Sequence, residues 1–187
     1  MLRGSRDKRQ EFERLIREVF PSLYGAARRF AVDEETAKDL TQEAILRGFQ
    51  AYDKFDGKNF KAWILTILTN LYINDYRRKK REPEVLSIDS EDWLAETIVS
   101  TDDVEDEVLQ DVLSEDVELA LSRLPVEFRT AVVLSDIEDM SYQEIAEAMG
   151  VPIGTVRSRI ARGREMLRKL LYDFALKKGY LRRGDAK

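Results

Sequence analysis

Apolar residues recur along most of this chain at the three-to-four-residue spacing of a helix face, and the alternation typical of strands is rare. Phe12, Leu15, Ile16, Val19 and Leu23 predict a first helix over residues 9–29, which Pro21 should kink or interrupt. Ala37, Leu40, Ala44, Ile45, Gly48 and Phe49 predict a second from Asp33 to Tyr52. The segment DKFDGKN at 53–59 reads as a loop around Gly57. Ile64, Ile67, Leu68 and Leu71 predict a third helix from Phe60 to Arg81, whose closing RRKKR complements the negative end of the helix before Pro83 helps stop it. Residues 114–124 start a second helical module, and Pro125 opens its next helix. The expected fold class is all-α. Two small helical domains, a three-helix core over 9–82 and a second over 114–172, are joined by a connector at 83–113 and flanked by tails at 1–8 and 173–187, the latter a short helical extension with a frayed basic terminus.

The most specific local pattern is Ser141–Leu171. Ser141 and Glu144 have capping-box spacing, Gly150 supplies a helix stop, and Pro152 suits a first helical position. Helix, glycine-containing turn and helix is the layout of a helix-turn-helix, whose second helix enters the DNA major groove. At about 100° per residue, Val156, Ile160, Gly163 and Leu167 share the packing side of that second helix. Arg157, Ser158, Ala161, Arg162 and Arg168 lie opposite, with Arg159 and Arg164 on the flanks. An arginine fork can bond the O6 and N7 edge of guanine, and arginines at the margins suit phosphates. The plainer alternative is a solvated basic helix on a protein-interaction domain.

Charge sharpens the division into modules. The net charge of -5 conceals +5 over residues 1–82, -14 over 83–118 and +4 over 119–187. Residues 83–118, which take in the connector, hold 14 acidic and no basic side chains, so the connector's like charges favour an extended spacer. There is no cysteine and no histidine, which removes thiol chemistry, the commonest general base and the commonest zinc ligand. No cofactor or metal is expected. An enzyme is disfavoured, because the carboxylates concentrate in the connector and no glycine-rich phosphate loop occurs. The absence of a long apolar run or a signal-like N-terminus leads to the expectation of a soluble, cytoplasmic protein without membrane insertion.

Two further constellations lie in the first module. On DLTQEAILRGF at 39–49, Asp39, Gln42, Glu43 and Arg47 gather on one polar side, which is either an ordinary solvated face or a binding face. On the third helix Trp63, Asn70, Tyr72, Asn74, Tyr76, Arg77 and Arg78 interleave aromatics, amides and basic groups, a mixture suited to unstacked bases. Trp63 and Tyr72 are equally compatible with a place in the core.

The order of these segments resembles the extracytoplasmic-function (ECF) group of the sigma-70 family of bacterial transcription factors. DLTQEAILRGFQAYDKF is similar to that family's region 2.2, NFKAWILTILTNLYINDYRRKKREP to its regions 2.3 and 2.4, and LPVEFRTAVVLSDIEDMSYQEIAEAMGVPIGTVRSRIARGREML to its region 4. NFKAW, TNLYIN and DFALKKGYL further resemble the subgroup that answers thiol oxidation. The resemblance implies a promoter-specificity subunit of RNA polymerase. It implies that Asp39, Gln42, Glu43 and Arg47 contact the clamp helices of the largest catalytic subunit, with the flap region as a second polymerase contact. Phe55 and Asn70 would form a pocket for a base flipped from the minus-ten element, Lys58 and Asn59 would bind the same element, and Asn74, Arg77 and Arg78 would meet it and its upstream phosphates. Arg157, Ser158, Arg159, Ala161, Arg162 and Arg164 would form the minus-thirty-five reading surface. An anti-sigma partner is also implied. This sequence departs from the family pattern in two places: the loop between Phe55 and Trp63 is one residue shorter, and Asp139 replaces a glycine before the helix-turn-helix, a position where aspartate tolerates a left-handed turn. The competing reading is a stand-alone helix-turn-helix regulator, which would usually read a symmetric site as a dimer. No heptad seam points to an obligate homo-oligomer.

Overall fold

The structure is a computed structural model that describes residues 2–31, 33–81 and 116–179, so the expected acidic connector at 83–113 lies outside the described residues. The described residues are helical, with no strand among them. The first module is α1 (Leu2–Phe30), α2 (Glu34–Ala51), a 3-10 turn (Tyr52–Lys54) and α3 (Phe60–Arg81). The second is α4 (116–122), α5 (Val126–Val132), a π-helical turn (Val133–Ile137), α6 (Tyr142–Met149) and α7 (Ile153–Lys177).

Local chemistry accounts for most boundaries. Asp33 caps α2, its carboxylate accepting from the Thr36 amide at 2.7 Å and the Thr36 hydroxyl at 2.7 Å. Ser141 and Glu144 form the expected reciprocal capping box on α6, and Gly150 ends that helix in the left-handed region at φ 62°. Asp139 takes φ 55°, as its replacement of a glycine foreshadowed.

Three expectations shift. Helix α1 begins at Leu2 rather than residue 9, so most of the expected tail is helical. It also runs through Pro21 without a break. The proline ring lies on the exposed side, while Ile16 and Leu23, buried on either side of it, pack into one core and hold the axis together. Pro152 is the N-cap of α7 rather than its first helical residue. Helix α7 continues past residue 172 to Lys177, in line with the short helical extension expected from Asp173 onward. The π-helical turn was not legible in the sequence. It places the Glu138 amide on the Val133 carbonyl at 3.0 Å and the Met140 amide on the Leu134 carbonyl at 2.9 Å, and so swings the chain from α5 into α6.

The two modules pack against each other, chiefly through α3 against α6. One buried apolar cluster runs from Phe12, Leu23, Phe30, Ile64, Leu65 and Leu68 of the first module into Leu121, Leu134, Ile145, Met149 and Ile160 of the second. The exposed faces of α2, α3 and α7 lie on the outside of this shared core.

Candidate nucleic-acid and polymerase interfaces

The α2 face is built by helical spacing. Asp39, Gln42 and Arg47 are exposed and Glu43 is half-buried, with Glu43 and Arg47 paired one turn apart at 2.6 Å. Leu46 sits beside them 53% exposed and Phe49 36% exposed. Helical periodicity places Phe49 on the apolar side; the helix leaves both it and Leu46 at the margin of the polar face, where an apolar contact is available to a partner. The groove beyond, of about 830 Å³, brings Asp39, Glu43 and Arg47 next to Asn74 and Arg78 of α3 and Arg129 of α5.

The loop before α3 is an aromatic nest. Phe55 lies 5.1 Å from the Trp63 ring and 5.4 Å from Phe60, and Tyr52 stacks on it at 6.0 Å. Trp63 is thus part of the packing under the loop. Tyr72 also takes the packing role, stacked on Phe30 at 5.2 Å while its hydroxyl accepts from Arg129 at 2.9 Å. Lys58 is exposed, its amide bound to the Asp56 carboxylate at 3.1 Å. Asn59 caps α3, its side-chain oxygen accepting from the Ala62 amide at 3.1 Å, while its amide nitrogen donates to Glu144 of the second module at 2.9 Å.

Along α3, Asn70, Asn74, Arg77 and Arg78 are all exposed on the turns that lead into the basic end of the helix. Asp75 lies among these cations, bonded to Lys79 at 2.9 Å and Arg78 at 2.6 Å. Lys79 and then Arg78 hold its carboxyl below the usual range, so Arg78 is partly neutralised at rest. Arg77 reaches the Met149 carbonyl at 3.5 Å. The structure therefore brings Phe55, Lys58 and Asn59 to one end of α3, with Asn70, Asn74, Arg77 and Arg78 following along it.

On α7, Val156, Ile160 and Gly163 are buried against the rest of the second module. Arg157, Ser158, Ala161 and Arg162 consequently face solvent together, with Arg159 half-buried beside them. Arg164 is exposed but committed: its Nε and a terminal nitrogen hold both oxygens of Asp136, at 2.9 and 2.7 Å. Asp136 stands on the π-helical turn, and sequence reasoning missed it because a residue 28 positions away carries no local signal. The Arg164 hydrogen bond holds the Asp136 carboxyl below its ordinary value of 3.8. A carboxylate depressed in the folded state contributes stability above the unfolded value and loses it as pH falls through the folded one. Acidification below about pH 3.8 is therefore expected to lower the thermal midpoint less in Asp136→Asn than in the native chain. Equal losses in the two proteins would show that the pair has no role in acid stability.

Comparison with known proteins follows the same division. The family model for sigma-70 region 2 matches residues 15–82, and that for sigma-70 region 4 matches residues 114–167. The chain is 38% identical over 170 residues to the ECF RNA polymerase sigma factor SigE of Mycolicibacterium smegmatis, covering 90% of this chain and 64% of that protein. It is 35% identical over 156 residues to SigW of Bacillus subtilis, covering 81% of this chain and 83% of that one. Neither name singles out the thiol-oxidation subgroup. Among solved structures, the sigma factor RpoE of Bartonella quintana, in complex with the anti-sigma factor NepR, superposes with a TM-score of 0.65 at 27% identity, over 87% of this chain and 98% of that one. CnrH, in complex with the cytosolic domain of CnrY, does so with a TM-score of 0.60 at 25% identity, over 88% and 90%. With both family regions matched in order on the two helical modules, the chain belongs to the ECF group of the sigma-70 family, the sigma factors that direct transcription initiation by RNA polymerase.

Proposed function

We propose that this chain binds core RNA polymerase through the α2 face, melts the minus-ten element with the loop and α3, and reads the minus-thirty-five element with α7. The observation that carries the proposal is the simultaneous exposure of an amide-rich basic face on α3 and an arginine face on α7 of one chain. Asp39, Gln42, Glu43 and Arg47, with Leu46 at their margin, form the polymerase contact. Phe55, Lys58, Asn59 and Asn70 receive a flipped base, which offsets an unstacking cost of about a few kcal/mol. Asn74, Arg77 and Arg78 follow the adjoining strand. Arg157, Ser158, Arg159, Ala161 and Arg162 meet the minus-thirty-five duplex, while Arg164, tied to Asp136, orients α7 and supports this face from its edge.

Neither module offers enough surface to hold a promoter alone. Tethering both to one polymerase raises the effective concentration of the second contact once the first is made. The protein performs no catalysis of its own; bond formation belongs to the polymerase. It acts in the cytoplasm and joins the nucleoid when bound to promoter DNA. No helix among the described residues is long and apolar enough to cross a membrane. The two solved relatives are complexes with an anti-sigma factor and with the cytosolic domain of a partner protein, which supports a protein inhibitor of this chain as well.

The direct test mixes the purified chain with core polymerase lacking any specificity factor and a randomised promoter library. Transcripts starting at a fixed distance from two enriched motifs are expected; failure to bind core would reject the proposal. Within that assay Arg162→Ala is expected to lose about 1–3 kcal/mol of discrimination at one minus-thirty-five position. Uniform weakening on all sequences would instead mark Arg162 as a phosphate contact.

A further inference from the structure

The basic end of α3 carries a counter-charge that none of the proposed DNA contacts uses. Over residues 74–81, NDYRRKKR, five basic side chains accompany one acid, Asp75, the single acidic residue of α3. Its Oδ1 accepts from Arg78 at 2.6 Å and its Oδ2 from Lys79 at 2.9 Å, one helical turn further on. Exposed pairs at this spacing add little to stability, and aspartate is a poor residue for a helix interior. Helix formation therefore gives no reason for an acid at this place.

The reason lies in what the pair does to Arg78. Asp75 engages only Nη2 of the guanidinium, which fixes the direction of the side chain and leaves Nε and Nη1 as donors. Arg78 stands between two hollows. One is the large groove that Asp75 and Lys79 also line. The other is smaller and lined by Asn74, Arg77, Arg78 and Arg81, with no acid among its described residues. This second hollow is cationic and starts one helical turn after Asn70, so it suits the phosphates of a strand whose bases meet Asn70 and Asn74. Left without a counter-charge, however, the same cations would hold any DNA, because phosphate contacts supply affinity without sequence information.

We propose that Asp75 is a positioning residue that sets promoter specificity: it holds Arg78 in the geometry that meets the minus-ten strand, and by neutralising part of the cluster it weakens binding to all other DNA. It acts through Arg78 and Lys79 rather than by touching DNA. Discrimination is a difference of affinities, and a carboxylate among cations works on both sides of it. It repels phosphate in every register, and it repays that repulsion only in the register where an oriented Arg78 finds its phosphate. Asparagine at this position would keep the size of the side chain and lose both effects.

The proposal rests on the sigma-factor reading of α3. Its test uses holoenzyme assembled from the full chain and core polymerase, a promoter recovered from the randomised library, and a non-promoter duplex of equal length. Affinity for each is measured over a salt series. Asp75→Asn is expected to bind the non-promoter duplex about five- to tenfold more tightly, with log affinity falling about 1–2 units more steeply against log salt, as one or two freed cations reach phosphates. Promoter affinity is expected to fall about threefold, a modest coupling for residues in one ion-pair network. Asp75→Glu keeps the charge and should restore the native affinity and salt slope on non-promoter DNA. In an Arg78→Ala background, Asp75→Asn should cost the promoter complex nothing further. Circular dichroism of each variant checks that the helices are retained, as the exposure of Arg78 and Lys79 leads one to expect. Unchanged non-promoter affinity and slope in Asp75→Asn would overturn the counter-charge. Promoter and non-promoter affinities that rise together would overturn the positioning of Arg78. If the native chain selects no promoter at all, the sigma-factor reading falls and this proposal falls with it.

Discussion

Substituting Gly163 with leucine is expected to destabilise the second module by about 3 kcal/mol, at the upper end of the range for overpacked interiors. Gly163 lies on the buried side of α7 between Arg162 and Arg164, where α7 crosses α5. A Cβ there would stand 2.6 Å from the Val132 methyl and 3.2 Å from the Phe128 carbonyl oxygen. The carbonyl belongs to the backbone of α5 and cannot rotate aside, so α7 would have to lift and carry Arg157 and Arg162 with it. Thermal unfolding and binding to a minus-thirty-five duplex should fail together. The α2 glycine supplies the control. A Cβ on Gly48 would meet the Ile64 terminal methyl at 2.5 Å and the Phe12 ring at 3.3 Å, both side-chain atoms that can shift. There the helix propensity gained by alanine, about 1 kcal/mol, offsets much of the crowding. If Gly163→Leu kept the native thermal midpoint, the close approach of α5 and α7 would be refuted.

Asn70→Ala is expected to slow promoter opening about 10- to 100-fold, since each 1.36 kcal/mol of lost transition-state stabilisation is worth a factor of ten. Asn70 is exposed on α3, one helical turn before Asn74, so its loss leaves the core intact. Closed-complex formation should survive, because the α2 face and α7 are untouched. Stopped-flow measurement of opening on a duplex promoter separates the two steps. The same promoter carrying a pre-melted minus-ten element should recover much of the lost rate if the defect lies in extruding the base. Native opening rates on duplex DNA would remove Asn70 from the melting machinery.

Much of the architecture was legible in the sequence because it rests on short-range rules. The α6 capping box needs only Ser141 and Glu144, the stop needs only Gly150, and the left-handed turn needs only a residue that tolerates it, Asp139. The exposed face of α7 follows from helical periodicity once Val156, Ile160 and Gly163 are assigned to the core. The same rules gave too short a first helix and too much weight to Pro21, because one lost backbone bond is a local penalty while burial on both sides of it is a tertiary gain. Trp63 and Tyr72 could not be divided between core and ligand from spacing alone. Phe30, Phe55, Phe60 and Arg129 settle them as packed residues, and these partners come from α1, the loop before α3, α3 and α5.

The amino-acid sequence by itself determined the helical content, the separation into two basic modules around an acidic connector, the helix-turn-helix and the family kinship, since each is written in periodicity, caps, charge and motif order. Only the tertiary structure decided which charges are engaged. Arg164 is held by Asp136 across 28 residues, Asn59 by Glu144 across 85, and Lys61 by Glu138 across 77. Periodicity reports which face of a helix is buried, whereas a salt bridge depends on how two helices far apart in the chain are brought together by the core they share.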